Sequence, residues 1–371
     1  MCTMKREKFA SFIIIFFLLL GCGAQVSFHT ENKNPNIPNY VATEPDNVPE
    51  DYPRIIEMKK IATTISLNEQ GFWQAELTEG LVFIYVPEGE FIMGSNFGLK
   101  NELPIRRIHL DGFWMSKYPV TVGQFRRFVV STGHVTDAEK GQGSWQWSNN
   151  EQEWIPQKDG NWKNTYFKQG EDHPVVSISW NDAQAYTKWL SNKLEYEIKL
   201  ATAAQFEKGA RGIDGRQFPW GNDKPDGTRA NYADINYWQK YGNARHPDKS
   251  IDDGFTETSP VGSFPAGASP YGLMDMAGNV WEWNHDIFDP DYYQYMSDYN
   301  PSGPKDSGIV DQERENRGGG SWTDRSGHIT PKGGHNLRSA ARTGDEQNSS
   351  DDHLGFRIVI DFVVRENGLI Y

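Results

Sequence analysis

No cysteine follows Cys22 in this 371-residue chain, and Cys2 is the only other one. A chain of this length with no thiols beyond its first two dozen residues has no disulfide framework, so its stability must come from packing, to which bound metal can add. The position of Cys22 sharpens the constraint. Lys5, Arg6 and Lys8 precede a 12-residue apolar run, positions 9–20, which ends in Leu19-Leu20-Gly21-Cys22. That run is short of the roughly 20 residues a spanning helix needs. The pattern is a lipoprotein signal peptide over 1–21, with cleavage before Cys22 and acylation (palmitate class) of its sulfur. A short uncleaved anchor is the plainer alternative, and Met4 is an alternative start that would remove Cys2.

Downstream of the signal, 22–53 is rich in Asn and Pro, with Pro35, Pro38, Pro45, Pro49 and Pro53 and almost no apolar periodicity. This reads as a tether, which extended at roughly 3.1 Å per residue would reach about 90 Å from a bilayer. With 50 Asp and Glu against 37 Lys and Arg the formal charge is -13, and removing the signal's net +2 leaves about -15. So acidic a chain repels phosphate backbones, which excludes nucleic acid as an expected partner. Outer membrane or cell surface, reached through the lipid, is the expected location, because Gly23 after the lipid site is not a retention residue of the inner membrane.

A short segment, 54–79, is expected to pack on the main domain as a strand or helix, and the domain itself to run from 80 to 365. Leu81-Val82-Phe83-Ile84-Tyr85-Val86 and Phe91-Ile92-Met93-Gly94-Ser95 read as two strands of a hairpin across Pro87-Glu88-Gly89. Helical spacing follows Thr121, Ser179 and Thr202, each a candidate N-cap, and Gln205 completes a capping box with Thr202. Beyond Gly212 the sequence turns to Gly, Asn, Asp and Trp, with short strands expected near 280–283, 319–322 and 356–360. Trp145, Trp147, Trp154 and Trp162 lie in a polar insertion, either as an aromatic ligand surface or packed beneath the loop. The pair Gly141-Gln142-Gly143 lacks the strand, third glycine and helix of a dinucleotide site.

Many ordered segments carry one resemblance. They include Phe218-Pro219-Trp220-Gly221-Asn222, Gly272-Leu273-Met274-Asp275-Met276-Ala277-Gly278-Asn279-Val280-Trp281-Glu282-Trp283, Arg317-Gly318-Gly319-Gly320-Ser321-Trp322, Arg338-Ser339-Ala340-Ala341-Arg342 and Leu354-Gly355-Phe356-Arg357. Together they resemble the formylglycine-generating enzyme, or sulfatase-modifying factor, family. The resemblance implies an α+β fold, the elaborated C-type-lectin-like fold of that family, with little regular secondary structure. It also implies copper(I) held by two thiolates in the loop after the Gly-Gly-Ser-aromatic motif. Here that loop has no sulfur: Asp324 stands at the spacing of the first family cysteine and Ile329 near the second. Copper(I) selects thiolate or thioether ligands, so formylglycine generation by the family mechanism is not expected.

Two calcium sites are implied by the same resemblance. Asn231 and Asp253 would give side-chain oxygens with the carbonyls of Tyr232 and Phe255, and Asp275 and Glu282 side chains would act with the carbonyls of Gly278 and Val280. Such hard oxygen donors suit calcium. The expected function is a binding or assembly module for an unknown protein, peptide or glycan, with Ser321, Trp322, Asp324, Arg325, His328 and His335 on its recognition face, 321–337 together with 343–353. The rival is an oxidoreductase with a different metal centre, for which Asp324, His328 and His335 offer two imidazoles and a carboxylate.

Overall fold

The computed structural model describes residues 53–148, 150–151, 153–243, 246–305, 312–324 and 336–362. The signal peptide, Cys22 and the tether lie outside the described residues.

The 54–79 segment is part of the main sheet. Helix α1 (Pro53–Ile61) buries Ile55 and Met58, and strands β1 (Thr64–Leu67) and β2 (Trp73–Leu77) form a hairpin that continues into β3 (Leu81–Val86). With β6 (Phe113–Ser116), β9 (Ile198–Leu200) and β14 (Ile358–Ile360) these make a six-stranded sheet, ordered β1-β2-β3-β6-β14-β9 and antiparallel throughout. β3 is apolar at every position because both of its faces are covered. Phe83 and Tyr85 enter one core cluster, while Ile84 and Val86 enter the other.

Helices α2 (Val122–Thr132) and α3 (Trp180–Leu194) cover the first face with Phe125, Phe128, Tyr186 and Leu190. On the second face lies α4 (Ala203–Arg211), through Phe206 and Ala210. Capping boxes start these helices: the Thr121 hydroxyl accepts from Gln124 N at 3.3 Å, Ser179 from Asp182 N at 3.1 Å and Thr202 from Gln205 N at 3.1 Å.

The expected 81–95 hairpin does not form. Both edges of β3 are taken, by β2 and β6, so β4 (Gly89–Met93) pairs instead with β5 (Arg106–Leu110) and buries Phe91 and Met93 against Ile108 and Leu110. A second hairpin, β7 (Ser144–Ser148) and β8 (Glu153–Gln157), sets Trp147 opposite Trp154, and α5 (Ile235–Tyr241) packs beside it.

The remaining sheet has the order β12-β11-β10-β13, from β10 (Trp281–Ile287), β11 (Glu313–Arg317), β12 (Thr343–Glu346) and β13 (Leu354–Phe356). β13 runs parallel to β10, and the other pairings are antiparallel. The strand expected at 319–322 is a turn. Gly318, Gly319 and Gly320 have φ of 122°, 55° and 92°, values that end β11 at Arg317. Among the described residues no helix is long and apolar enough to cross a membrane.

Candidate functional site

The glycine turn after β11 fixes the path of the chain from Ser321 to Asp324. A Cβ on Gly319 would come within 2.7 Å of Leu337 O, and one on Gly318 within 2.8 Å of Val280 O. Only glycine allows that approach, which lays the 321–324 turn against β10. Ser321 and Trp322 are buried there, with Trp322 N donating to Asn279 O at 3.0 Å and Trp322 Nε1 to Asp352 O at 3.2 Å. Both serve the scaffold, so the surface expected of them falls to their neighbours.

Asp324 is half-buried and its carboxylate is held by four donors, three of them on one oxygen. Oδ2 accepts from Ser321 N at 3.0 Å, Ser321 Oγ at 2.9 Å and Trp281 Nε1 at 2.8 Å, while Oδ1 accepts from Asn336 Nδ2 at 2.8 Å. It lines a cavity of about 390 Å³ with Trp281, Glu102, Arg338, Asp345 and His353. The β4–β5 loop closes one side through Leu99 and also carries Phe97 and Ile105, all three exposed.

The polarity of this cavity is arranged by buried ion pairs. Arg338 grips Glu102 with both terminal nitrogens, at 2.5 and 2.6 Å. Arg342 pairs with Glu315, which also takes Arg317 Nε at 2.8 Å, and Arg317 reaches Glu207 at 2.9 Å. Burial lifts the Asp345 carboxyl to about 7, and the neighbouring Asp351 and Glu313 add to the effect while His353 opposes it. Of these, Asp345 falls in the 343–353 stretch expected on the recognition face, whereas nothing local in the sequence marks Glu102 and Arg338 as site residues. The motif around Arg338 was visible, but its partner lies 236 residues away.

The four residues of the first implied calcium site are brought together. Asp253 Oδ2 accepts from Tyr232 N and Oδ1 from Phe255 N, both at 2.9 Å. Burial pushes the Asp253 carboxyl up to about 8, and Asp234 and Asp252 raise it further against those two amides. Asn231 is buried, with Nδ2 donating to Glu257 O at 2.7 Å and Oδ1 left without a partner among the described residues. A buried orphan acceptor beside a buried carboxyl is the donor set a hard cation satisfies, so these residues fit calcium.

The second set is arranged differently. Glu282 gives both oxygens to Arg357, at 2.7 Å each, so a guanidinium already neutralises it. Asp275 accepts from Gly262 N at 2.7 Å, and burial raises its carboxyl to about 6. Gly278 O accepts from Val280 N at 2.9 Å. An ion here would have to share Glu282 with Arg357. No group of three or more His, Cys, Asp or Glu suited to a metal occurs among the described residues, and Arg325, His328, His335 and Ile329 lie outside them.

The chain is similar to known proteins in sequence and in fold. A family model described as the sulfatase-modifying factor enzyme 1-like domain matches residues 72–362. The chain is 33% identical over 302 residues to the formylglycine-generating enzyme of Mus musculus, covering 74% of each. It is 30% identical over 328 residues to the inactive C-alpha-formylglycine-generating enzyme 2 of Bos taurus, covering 81% of this chain and 95% of that one. Among solved structures, PvdO from Pseudomonas aeruginosa is similar in fold, with a TM-score of 0.57 and 23% identity over 81% of this chain and 98% of its own.

Proposed function

The chain belongs to the sulfatase-modifying factor enzyme 1-like domain family, and within that family we propose that it binds a partner rather than oxidising a substrate. One observation carries the reading: Asp324, which the resemblance sets at the spacing of the first family cysteine, has its carboxylate engaged by four donors of the turn and its neighbours. Three donors commit Oδ2 to the turn, so a replacement metal would have only Oδ1 to bind, which weighs against the two-histidine, one-carboxylate alternative. The cavity beside it, with an apolar rim at Leu99 and buried ion pairs beneath, suits a protein segment that places an apolar side chain at the rim and polar groups within.

Calcium stabilisation belongs to the same proposal. The orphan Asn231 Oδ1 supports an ion held by Asn231, Tyr232, Asp253 and Phe255, whereas the set of Asp275, Gly278, Val280 and Glu282 rests on family resemblance alone. Acylation at Cys22 would anchor the protein to the outer membrane or cell surface, with 22–53 as its tether.

The binding reading is tested with a photoreactive residue placed at Asn101, which lines the cavity, and a control at the exposed Lys158, in the tethered protein within intact envelopes. A discrete adduct from position 101 and none from 158 is expected. Equal adducts from both, or none from either, would contradict it.

A further inference from the structure

A second cavity, of about 470 Å³, lies over the β7–β8 hairpin, outside the Asp324 site, and is lined by Trp147, Glu151, Phe167, Lys240, Tyr241 and Asp352 among others. Its wall is aromatic. Trp147 meets Tyr241 edge to face at 5.3 Å and Trp154 at 4.7 Å, above the buried Trp322.

A carboxylate lies among these rings. The Asp352 side chain is 2% exposed, and its Oδ1 takes Trp154 Nε1 at 3.0 Å and contacts His353 Nδ1 at 3.0 Å. Its Oδ2 has no donor among the described residues. It is not among the fully buried acceptors left without a partner, so it stays open to a donor that enters from the cavity. At the mouth, the exposed Glu151 also has no side-chain partner among the described residues. Lys240 does not neutralise either acid, because it pairs with Glu257. Its ammonium sits 5.0 Å from the Tyr241 ring centroid, which shows the kind of group that this aromatic face accepts.

We propose that this cavity binds an organic cation carrying a primary ammonium. One oxygen of Asp352 would accept a hydrogen bond from the ammonium, the faces of Trp147 and Tyr241 would receive its charge, and Glu151 would attract it at the entrance. A neutral sugar would supply donors and stacking but would leave two carboxylates uncompensated, so the charge of the lining decides between the two classes. The volume admits an amine about the size of a lysine side chain or a short diamine with room to spare. The proposal goes beyond the partner-binding reading of the Asp324 cavity and stands or falls without it.

Calorimetric titration of the full mature chain tests it with four probes: cadaverine, N-acetyl-lysine methylamide, the neutral N-acetyl-norleucine methylamide and N-acetylglucosamine dimer. The two amines are expected to bind, more weakly as salt rises, and the two neutral probes are not. Tighter binding of the lysine amide would identify a basic side chain of a protein as the source, and tighter binding of cadaverine a free amine. Asp352→Asn should weaken amine binding about tenfold or more, and Glu151→Gln severalfold. Should Asp352→Asn fail to fold by its melting curve, Glu151→Lys, at an exposed position, carries the test and should abolish binding. Sugar binding without amine binding, amine binding indifferent to the Asp352 and Glu151 substitutions, or no binding by any probe overturns the proposal.

Discussion

Asp324 and Asn231 are single side chains on which much of the functional reading turns. Asp324 is a structural acceptor of its turn, and Asn231 offers an oxygen that nothing among the described residues satisfies. If calcium meets that oxygen, adding it at 100 times its dissociation constant should stabilise the native state by roughly 2.7 kcal/mol. The melting temperature should then rise by a few degrees for a domain of this size, order of magnitude only. Asp253→Ala should remove most of that rise, and a wild-type melting curve indifferent to chelator would exclude calcium as a stabiliser. The Glu102–Arg338 pair makes a second prediction at this scale. Both partners are buried, so Glu102→Gln strands a guanidinium and should cost about 3 kcal/mol in urea unfolding. A cost under about 1 kcal/mol would show that water reaches the pair.

At the scale of elements, the local signals in the sequence were read with more success than the distant ones. Thr121, Ser179 and Thr202 marked three helix starts because a cap and its partner lie three residues apart on the chain. The 81–95 hairpin misled because strand pairing is settled by which edges are free, and β3 had none left for β4. The glycine turn was visible as a motif, but taking 319–322 as a strand overlooked three successive positive φ angles. Ion pairs such as Glu282–Arg357, 75 residues apart, leave no local trace at all. The β11–β12 edge carries a pH prediction. The folded-state carboxyl of Asp345, at about 7, lies above its ordinary value of 3.8, so the native state holds the proton more tightly than the unfolded chain. Its contribution to stability is complete below about pH 4 and is lost as pH rises to about 7, by on the order of 1 kcal/mol after allowing for solvent contact. Asp345→Asn should flatten that part of the stability profile while keeping the Asn316 contact, and an unchanged slope would assign the titration to another group.

For the whole molecule, family membership was legible because many short motifs recur in order along 72–362. In the proposed molecule a lipid tether carries a domain without the thiols of its enzymatic relatives. Metabolic labelling with a fatty-acid analogue should tag the wild type and spare Cys22→Ala, and equal labelling of both would rule out the lipid anchor. The deciding measurement uses a peptide with a sulfatase-type cysteine motif, incubated with the mature protein, copper(I) and oxygen and followed by mass spectrometry. The cysteine is expected to remain unconverted at all protein concentrations, and an aldehyde product forming at a rate proportional to this protein would contradict the reading of Asp324 as a structural acceptor in a binding module.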